Sequence, residues 1–279
     1  MIAVELSKQL RRPRTWGVLA AVAGLSIVLS LVIGITRPAT SERLGSWLSV
    51  TPNTSGFVMP LLVLNALMLF VFPLAAAIFA GESVAGEKAW GSLRYLLARP
   101  GRRSQTLAVK SVTAAALTVT AIVVALLCAA VIGVVISGPH SLTVVDLEHT
   151  TPFNLVGATF GPGQAIVRIG LATAFVVASV ASTFAFALLL STITSRPFSA
   201  VAGGIGLSLF SRALDNIAGL AALRPVLPIT DSGTNVWTGV FTHPTQTQGM
   251  AHFFLIQALY TAAFLVASWR NFERADVLT

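Results

Sequence analysis

Long apolar stretches alternate with short polar ones along this chain. Six stretches contain no Asp, Glu, Lys or Arg: Gly17–Ile35, Phe57–Ala80, Ser111–Ser137, Ile169–Ser195, Pro197–Ser211 and roughly Met250–Trp269. Most are too long for strands and fit helices that cross a membrane. The 24 residues of the second stretch reach about 36 Å as a helix, against a hydrocarbon core of about 30 Å. Pro60 and Pro73 inside it are tolerable kinks, because neighbouring helices can satisfy the carbonyls they free. The fifth stretch is the shortest and needs Arg212 snorkelling at its interface to span fully. The expected fold is all-α, a single polytopic membrane domain over residues 1–279 with six transmembrane helices.

Three further segments read as helices that lie on or dip into the membrane. Residues 1–16 form an N-terminal interfacial helix. In the outer segment, residues 211–249, Asp215–Pro228 is apolar but too short to cross, so a re-entrant or interfacial helix is expected, ended by Pro225 and Pro228. Thr151–Val167 reads the same way, with Gly161-Pro162-Gly163 as a turn. The N-terminus resembles a signal peptide, and Arg11-Arg12 even hints at a twin-arginine signal. No small-residue cleavage site follows, and an uncleaved first span is expected.

Composition agrees: 55% of residues are hydrophobic and 10% charged, where a soluble domain carries about 25%. The single cysteine, Cys128, lies in an apolar run and excludes an intrachain disulfide. The net charge of +8 reads as a basic membrane face, not as a nucleic-acid surface. Six spans place both termini on one side. Thirteen basic residues fall there: Lys8, Arg11, Arg12, Arg14, Lys88, Arg94, Arg99, Arg102, Arg103, Lys110, Arg196, Arg270 and Arg274. Five fall opposite: Arg37, Arg43, Arg168, Arg212 and Arg224. The positive-inside rule makes both termini cytoplasmic in a multi-pass protein of the cell membrane.

Candidate chemistry is sparse. In GESVAGEKAW, residues 81–90, Gly81 and Gly86 are spaced as in a phosphate-binding loop. A working loop follows a strand, sets Lys directly after the second Gly and supplies Ser or Thr. Here an apolar helix precedes it, Glu87 occupies the lysine position and Ala89 follows Lys88. No ATPase site is expected. Gly206-Leu207-Ser208 with His252 faintly resembles an intramembrane serine protease, but Ser208 reads more simply as a packing residue. His140, Asp146, Glu148 and His149 lack any recognised metal-ligand spacing, and no metal or other cofactor is expected in the chain. The spans hold only weak polar groups, among them Ser26, Ser30, Asn65, Thr118, Ser182 and Thr183, so energy for any transport comes from elsewhere. Ala200, Gly204 and Ser208 form a small-residue stripe on the fifth span, suited to packing within the chain or against another subunit.

Charge concentrates instead in residues 81–110, which hold eight of the chain's 28 charged residues. On a helix, Gly86, Trp90, Leu93 and Leu97 share one face while Arg94 projects elsewhere. An amphipathic helix along the cytoplasmic interface is expected, ended by Pro100-Gly101.

This loop resembles that of the permease subunits of type-2 ABC exporters. Their first cytoplasmic loop has an acidic residue, then Gly-Thr, a Leu-Leu pair, Pro, Arg and a later Lys. Here these positions are Glu87, Gly91-Ser92, Leu96-Leu97, Pro100, Arg102 or Arg103, and Lys110. Ser92 replaces the usual Thr. VELSKQLRRPRTW, with Glu5, Lys8, Arg11 and Trp16, resembles the family's N-terminal interfacial helix, and Phe272, Arg274 and Asp276 resemble its closing motif.

The resemblance implies an ATP-driven exporter of a hydrophobic or amphipathic compound such as a drug, peptide antibiotic or lipid. It implies two separate ATP-binding cassette subunits, which would hold the ATP and Mg, and a second permease copy or homologue. Residues 81–110 would carry the coupling helix, with Glu82, Glu87, Lys88, Trp90, Gly91, Ser92, Arg94, Pro100, Arg102 and Arg103 at the ATPase contact. Glu87 would cap or orient that helix and meet a basic or hydrogen-bonding group of the ATPase. The substrate pathway would run beside Asn65, Met68, Phe72, Gly204, Ser208 and Phe210. The alternative function is a non-transporting membrane anchor or regulator of a cytoplasmic ATPase. The basic asymmetry generates a test. Single cysteines at Ser41 and Ser232, in a Cys128→Ala background, should react with impermeant reagents in intact cells, while one at Arg102 should not.

Overall fold

The computed structural model describes residues 2–36, 42–44, 48–50, 55–91, 103–146, 157–215, 217, 226–228, 240–241 and 249–274. Eight helices are placed among them: α1 (Ile2–Leu10), α2 (Pro13–Thr36), α3 (Val58–Met68), α4 (Val71–Ala89), α5 (Arg103–Ser137), α6 (Pro162–Ile193), α7 (Pro197–Asp215) and α8 (Met250–Arg274). Four short strands lie between them: β1 (Glu42–Leu44), β2 (Leu48–Val50), β3 (Leu142–Asp146) and β4 (Gly157–Phe160).

Four helices, α2, α5 from Ser104, α6 and α8, are long and apolar enough to cross a membrane. The pair α3 and α4, bent by 60° at a short break, is apolar enough to count as a fifth if the two helices together form one span. Pro73 accounts for part of the break, because it has no N–H to return to the carbonyl of Leu69. Arg212 of α7 donates from Nη2 to the Met68 carbonyl at 3.4 Å, so a side chain replaces a helical partner at the bend. Arg212 therefore does not snorkel outward as expected; it is 8% exposed and faces the bundle. Helix α7, with Arg212 and Asp215 buried in its last turn, is not among the helices that meet the span criterion. Among the described residues the span count is thus four or five by length and composition, against the six expected.

Helix α4 is the centre of the bundle. It packs on α6, α7 and α5, and Phe72, Ala75, Ala76, Ala77, Ala80, Val84 and Ala85 are all buried. The small side chains let neighbouring backbones come close. A Cβ on Gly204 would lie 2.8 Å from the Ala187 Cβ and 3.1 Å from the Ala77 Cβ. The stripe Ala200, Gly204 and Ser208 is therefore buried against α4 and α6 of its own chain.

The strands were absent from the sequence reading. They pair antiparallel in the order β1-β2-β3-β4, with Glu42 opposite Val50, Leu48 opposite Asp146 and Leu142 opposite Phe160. Leu142, Val144, Ala158 and Phe160 alternate along β3 and β4 and bury one face. Phe160 meets Phe241 edge to face at 6.4 Å, and Arg168 lies 4.0 Å over the Phe160 ring. The described part of Thr151–Val167 consequently holds β4 and the start of α6; residues 151–156 lie outside the described residues. Most of Asp215–Pro228 lies outside the described residues; within it, the Val226 and Pro228 carbonyls accept from Tyr260 Oη (2.9 Å) and Gln257 Nε2 (2.5 Å) of α8.

The α7 packing gives a comparison between two glycines. Gly204→Leu should lower the unfolding midpoint of the purified chain by the equivalent of about 1–3 kcal/mol through overpacking. Gly206→Ala, whose added Cβ meets nothing within 4 Å, should stabilise by up to about 1 kcal/mol through helix propensity. Equal effects at the two positions would contradict this packing.

Candidate functional site

Residues 81–89, expected in a cytoplasmic loop, are the last turns of α4. The helix stops where Trp90 N–H donates to Gly86 O (3.2 Å) and Gly91 N–H to Lys88 O (3.0 Å). Gly91 has φ 67°, the left-handed conformation that closes a helix and that only glycine adopts without strain. A single helix face through Gly86, Trp90, Leu93 and Leu97 is therefore interrupted; Leu93 and Leu97 lie outside the described residues. The glycines spaced as in a phosphate loop are helical, and the N–H groups of Val84 and Ala85 donate to Ser191 Oγ of α6 at 3.1 and 2.8 Å.

Glu87 is the focus of the region. Its side chain is 2% exposed, and its Oε1 accepts from Lys110 Nζ of α5 at 2.7 Å and from Lys8 Nζ of α1. Lys110, also 2% exposed, turns to Glu5 Oε1 of α1 at 3.1 Å. Glu5 and Lys8 stand three residues apart on α1 and so share one face. The result is an alternating chain, Glu5, Lys110, Glu87, Lys8, in which two carboxylates balance two ammonium groups. An isolated ion in such a place carries a desolvation penalty of several kcal/mol, and pairing offsets it only while every partner stays in position. Glu87 was expected to face an ATPase; its carboxylate is instead occupied inside the chain. Glu82, one turn earlier, lies near the surface 3.5 Å from Arg14 Nη1, a geometry that contributes little.

Lys88, about 100° further round the helix, serves the other side. Its Nζ donates to the Thr192 carbonyl at the end of α6, and Asn271 Nδ2 of α8 donates to Thr192 Oγ1 at 3.2 Å. The last turn of α4 therefore joins α1 and α5 through Glu87 and α6 through Lys88, while Thr192 of α6 is itself bonded to α8. A turn between α1 and α2 adds rigidity: the Thr15 hydroxyl and the Arg12 N–H both donate to Gln9 O, at 2.7 and 3.1 Å. Pro13 supplies the first helical position of α2.

The other expected site residues divide. Trp90 is 78% exposed at the end of α4, and Arg103 opens α5. Ser92, Arg94, Pro100 and Arg102 lie outside the described residues. Of the expected pathway residues, Met68, Phe72, Gly204 and Ser208 are buried, Asn65 is half-buried and Phe210 is 63% exposed, so the six do not share one environment. Ser208 is buried while His252 is exposed. Among the described residues no three His, Cys, Asp or Glu side chains gather as a metal site. The sequence marks Glu5, Lys8 and Lys110 as motif positions, and Lys8 and Lys110 as basic residues of the terminal side, but pairs none of them; nothing in it points to Ser191, Thr192 or Asn271. The signal for the first three was available: carboxylates and lysines beside long apolar runs need partners of opposite sign.

The family model for ABC-2 family transporter proteins matches residues 2–277. No curated protein matches the chain.

The cluster predicts strong coupling between Glu87 and Lys110. Glu87→Gln and Lys110→Met should each destabilise by about 3–5 kcal/mol, because each leaves a buried charge short of a partner. The double variant should lose markedly less than the two losses combined, read from unfolding in detergent solution. Additive losses would contradict a shared site. Glu82→Gln should change stability by no more than about 1 kcal/mol.

Proposed function

The chain belongs to the ABC-2 family of transporter proteins, and on that premise we propose that it lines the substrate path of an ATP-driven exporter and couples it to separate ATP-binding subunits. Membership makes it a multi-pass membrane permease of an ABC transporter that partners with ATP-binding subunits. The finer reading is that two such subunits bind ATP and Mg beneath a pair of permeases, this one with a second copy or a homologue. Six spans and cytoplasmic termini complete the proposed topology. The substrate is a hydrophobic or amphipathic compound, in keeping with spans that offer no charged site except near their ends.

The observation that carries the coupling role is the junction at the last turn of α4. Two consecutive side chains, Glu87 and Lys88, tie that turn to three other helices, and Thr192 links the third of them to α8. The chain leaves this turn directly into residues 92–102, where the family resemblance sets the ATPase contact. A push on that loop is thereby delivered to α1, α5, α6 and α8 together. In this reading Arg94 and Arg102 meet the ATPase, Trp90 anchors the helix end at the interface, and Glu87 and Lys88 transmit motion without touching nucleotide.

The test is purification of the complex from native membranes, with every bound subunit identified. Arg94→Glu with Arg102→Glu should lower the copurifying ATP-binding subunit about tenfold, the loss of roughly 1.4 kcal/mol of contact. Lys88→Ala should leave ATP binding by the complex intact while weakening substrate-stimulated ATP hydrolysis and transport in vesicles. ATP hydrolysis by the purified chain alone, removed by Lys88→Ala, would overturn the reading.

A further inference from the structure

A cleft of about 510 Å³ opens between α1, the start of α2 and the end of α4. Its walls include Lys8, Arg12, Arg14, Glu82, Glu87 and Trp90. We propose that this cleft holds the phosphate headgroup of an anionic phospholipid from the leaflet that faces the terminal side of the protein.

Charge counting inside the cleft is the first argument. Three cations face two carboxylates, and both carboxylates are already engaged, Glu87 by Lys8 and Lys110 and Glu82 by Arg14. Glu5 and Lys110 behind the wall cancel each other. Among the described residues Arg12 has no carboxylate within ion-pair distance, so the cleft carries one uncompensated guanidinium. The turn that carries Arg12 is fixed by its own N–H bond to Gln9 O and by the bond from Thr15 N–H to Arg12 O, both 3.1 Å. A planar fork of donors held beside Lys8 and Arg14 is suited to the oxygens of a phosphate.

Depth identifies the source of that phosphate. Arg12 precedes the apolar run of α2 by about one helical turn, and Trp90 follows the last turn of the α3–α4 span. Trp90 is 78% exposed and Trp16 60% exposed, the two indoles expected at headgroup level. Helix α1 leaves Ile2 and Val4 exposed, at 51% and 74%. Arg12, Arg14 and Glu82 also border a narrower crevice walled by Val18, Ile78 and Phe79. Cations at phosphate depth thus adjoin apolar walls at hydrocarbon depth, an arrangement for a lipid and not for a soluble acidic segment.

The experiment uses the transporter complex, stripped of lipid in detergent and titrated with phosphatidylglycerol while native mass spectrometry counts bound lipid. One phosphatidylglycerol per permease should bind in preference to phosphatidylcholine. Arg12→Gln should weaken it about fivefold, Arg12→Glu more, and Arg12→Lys least. Circular dichroism of the same samples checks the fold, which a change at this half-buried turn residue should leave intact. Equal binding by wild type and Arg12→Glu would overturn the proposal. So would displacement of the lipid by millimolar inorganic phosphate, which would make this a site for free anions. Loss of the ATP-binding subunit in Arg12→Glu with lipid retention unchanged would also overturn it, assigning the cleft to protein docking.

Discussion

A buried carboxylate must have its charge answered, and in this chain the answer to Glu87 comes from two different helices. Lys8 approaches from α1 and Lys110 from α5, and Lys110 is in turn held by Glu5. None of these groups keeps a favourable environment if α1, α4 or α5 moves apart from the others. Electrostatic compensation therefore fixes the N-terminal helix, which is short and otherwise amphipathic, onto the ends of two spans. The same turn of α4 reaches α6 through Lys88, and Thr192 of α6 is held in turn by Asn271 of α8, so position is set from both sides.

Elsewhere the bundle relies on close packing. Alanines of α4 lie against α6 and α7, and Gly204 allows an approach that a single added methyl would block. The bend between α3 and α4 is stabilised from α7 by Arg212 at the Met68 carbonyl. Charge is thus used at two levels of the molecule, each time where a backbone ends or breaks. Between them the interior is held by apolar contacts and by hydroxyls turned back on their own helices, as at Thr118 and Ser179.

Much of this architecture was legible in the amino-acid order. Runs without charge placed the spans because lipid permits little else, and the Pro73 kink followed from a missing N–H. The ends were less legible: α5 starts eight residues before its apolar run and α6 seven before, since a helix continues past the hydrocarbon wherever its polar turns find partners. The outer sheet was hidden because strands of three to five residues give too short an alternation to read. For the stripe Ala200, Gly204 and Ser208, the sequence showed that a close contact exists but not with which helix. Glu87 stands out in the sequence as a carboxylate beside an apolar run, yet its partners lie 79 and 23 residues away, beyond any local pattern.

The central claim is that α1, the end of α4 and the start of α5 move as one body during the ATPase cycle. It is tested most directly by spin labels on Ser7 of α1 and Gln105 of α5, both exposed, in a Cys128→Ala background. Their distance would be measured by electron–electron double resonance in the complex with its ATP-binding subunits, nucleotide-free and ATP-trapped, with closure of those subunits followed in the same samples. The account predicts one unchanged, narrow distance in both states. A shift or a second distance appearing on ATP trapping would contradict it.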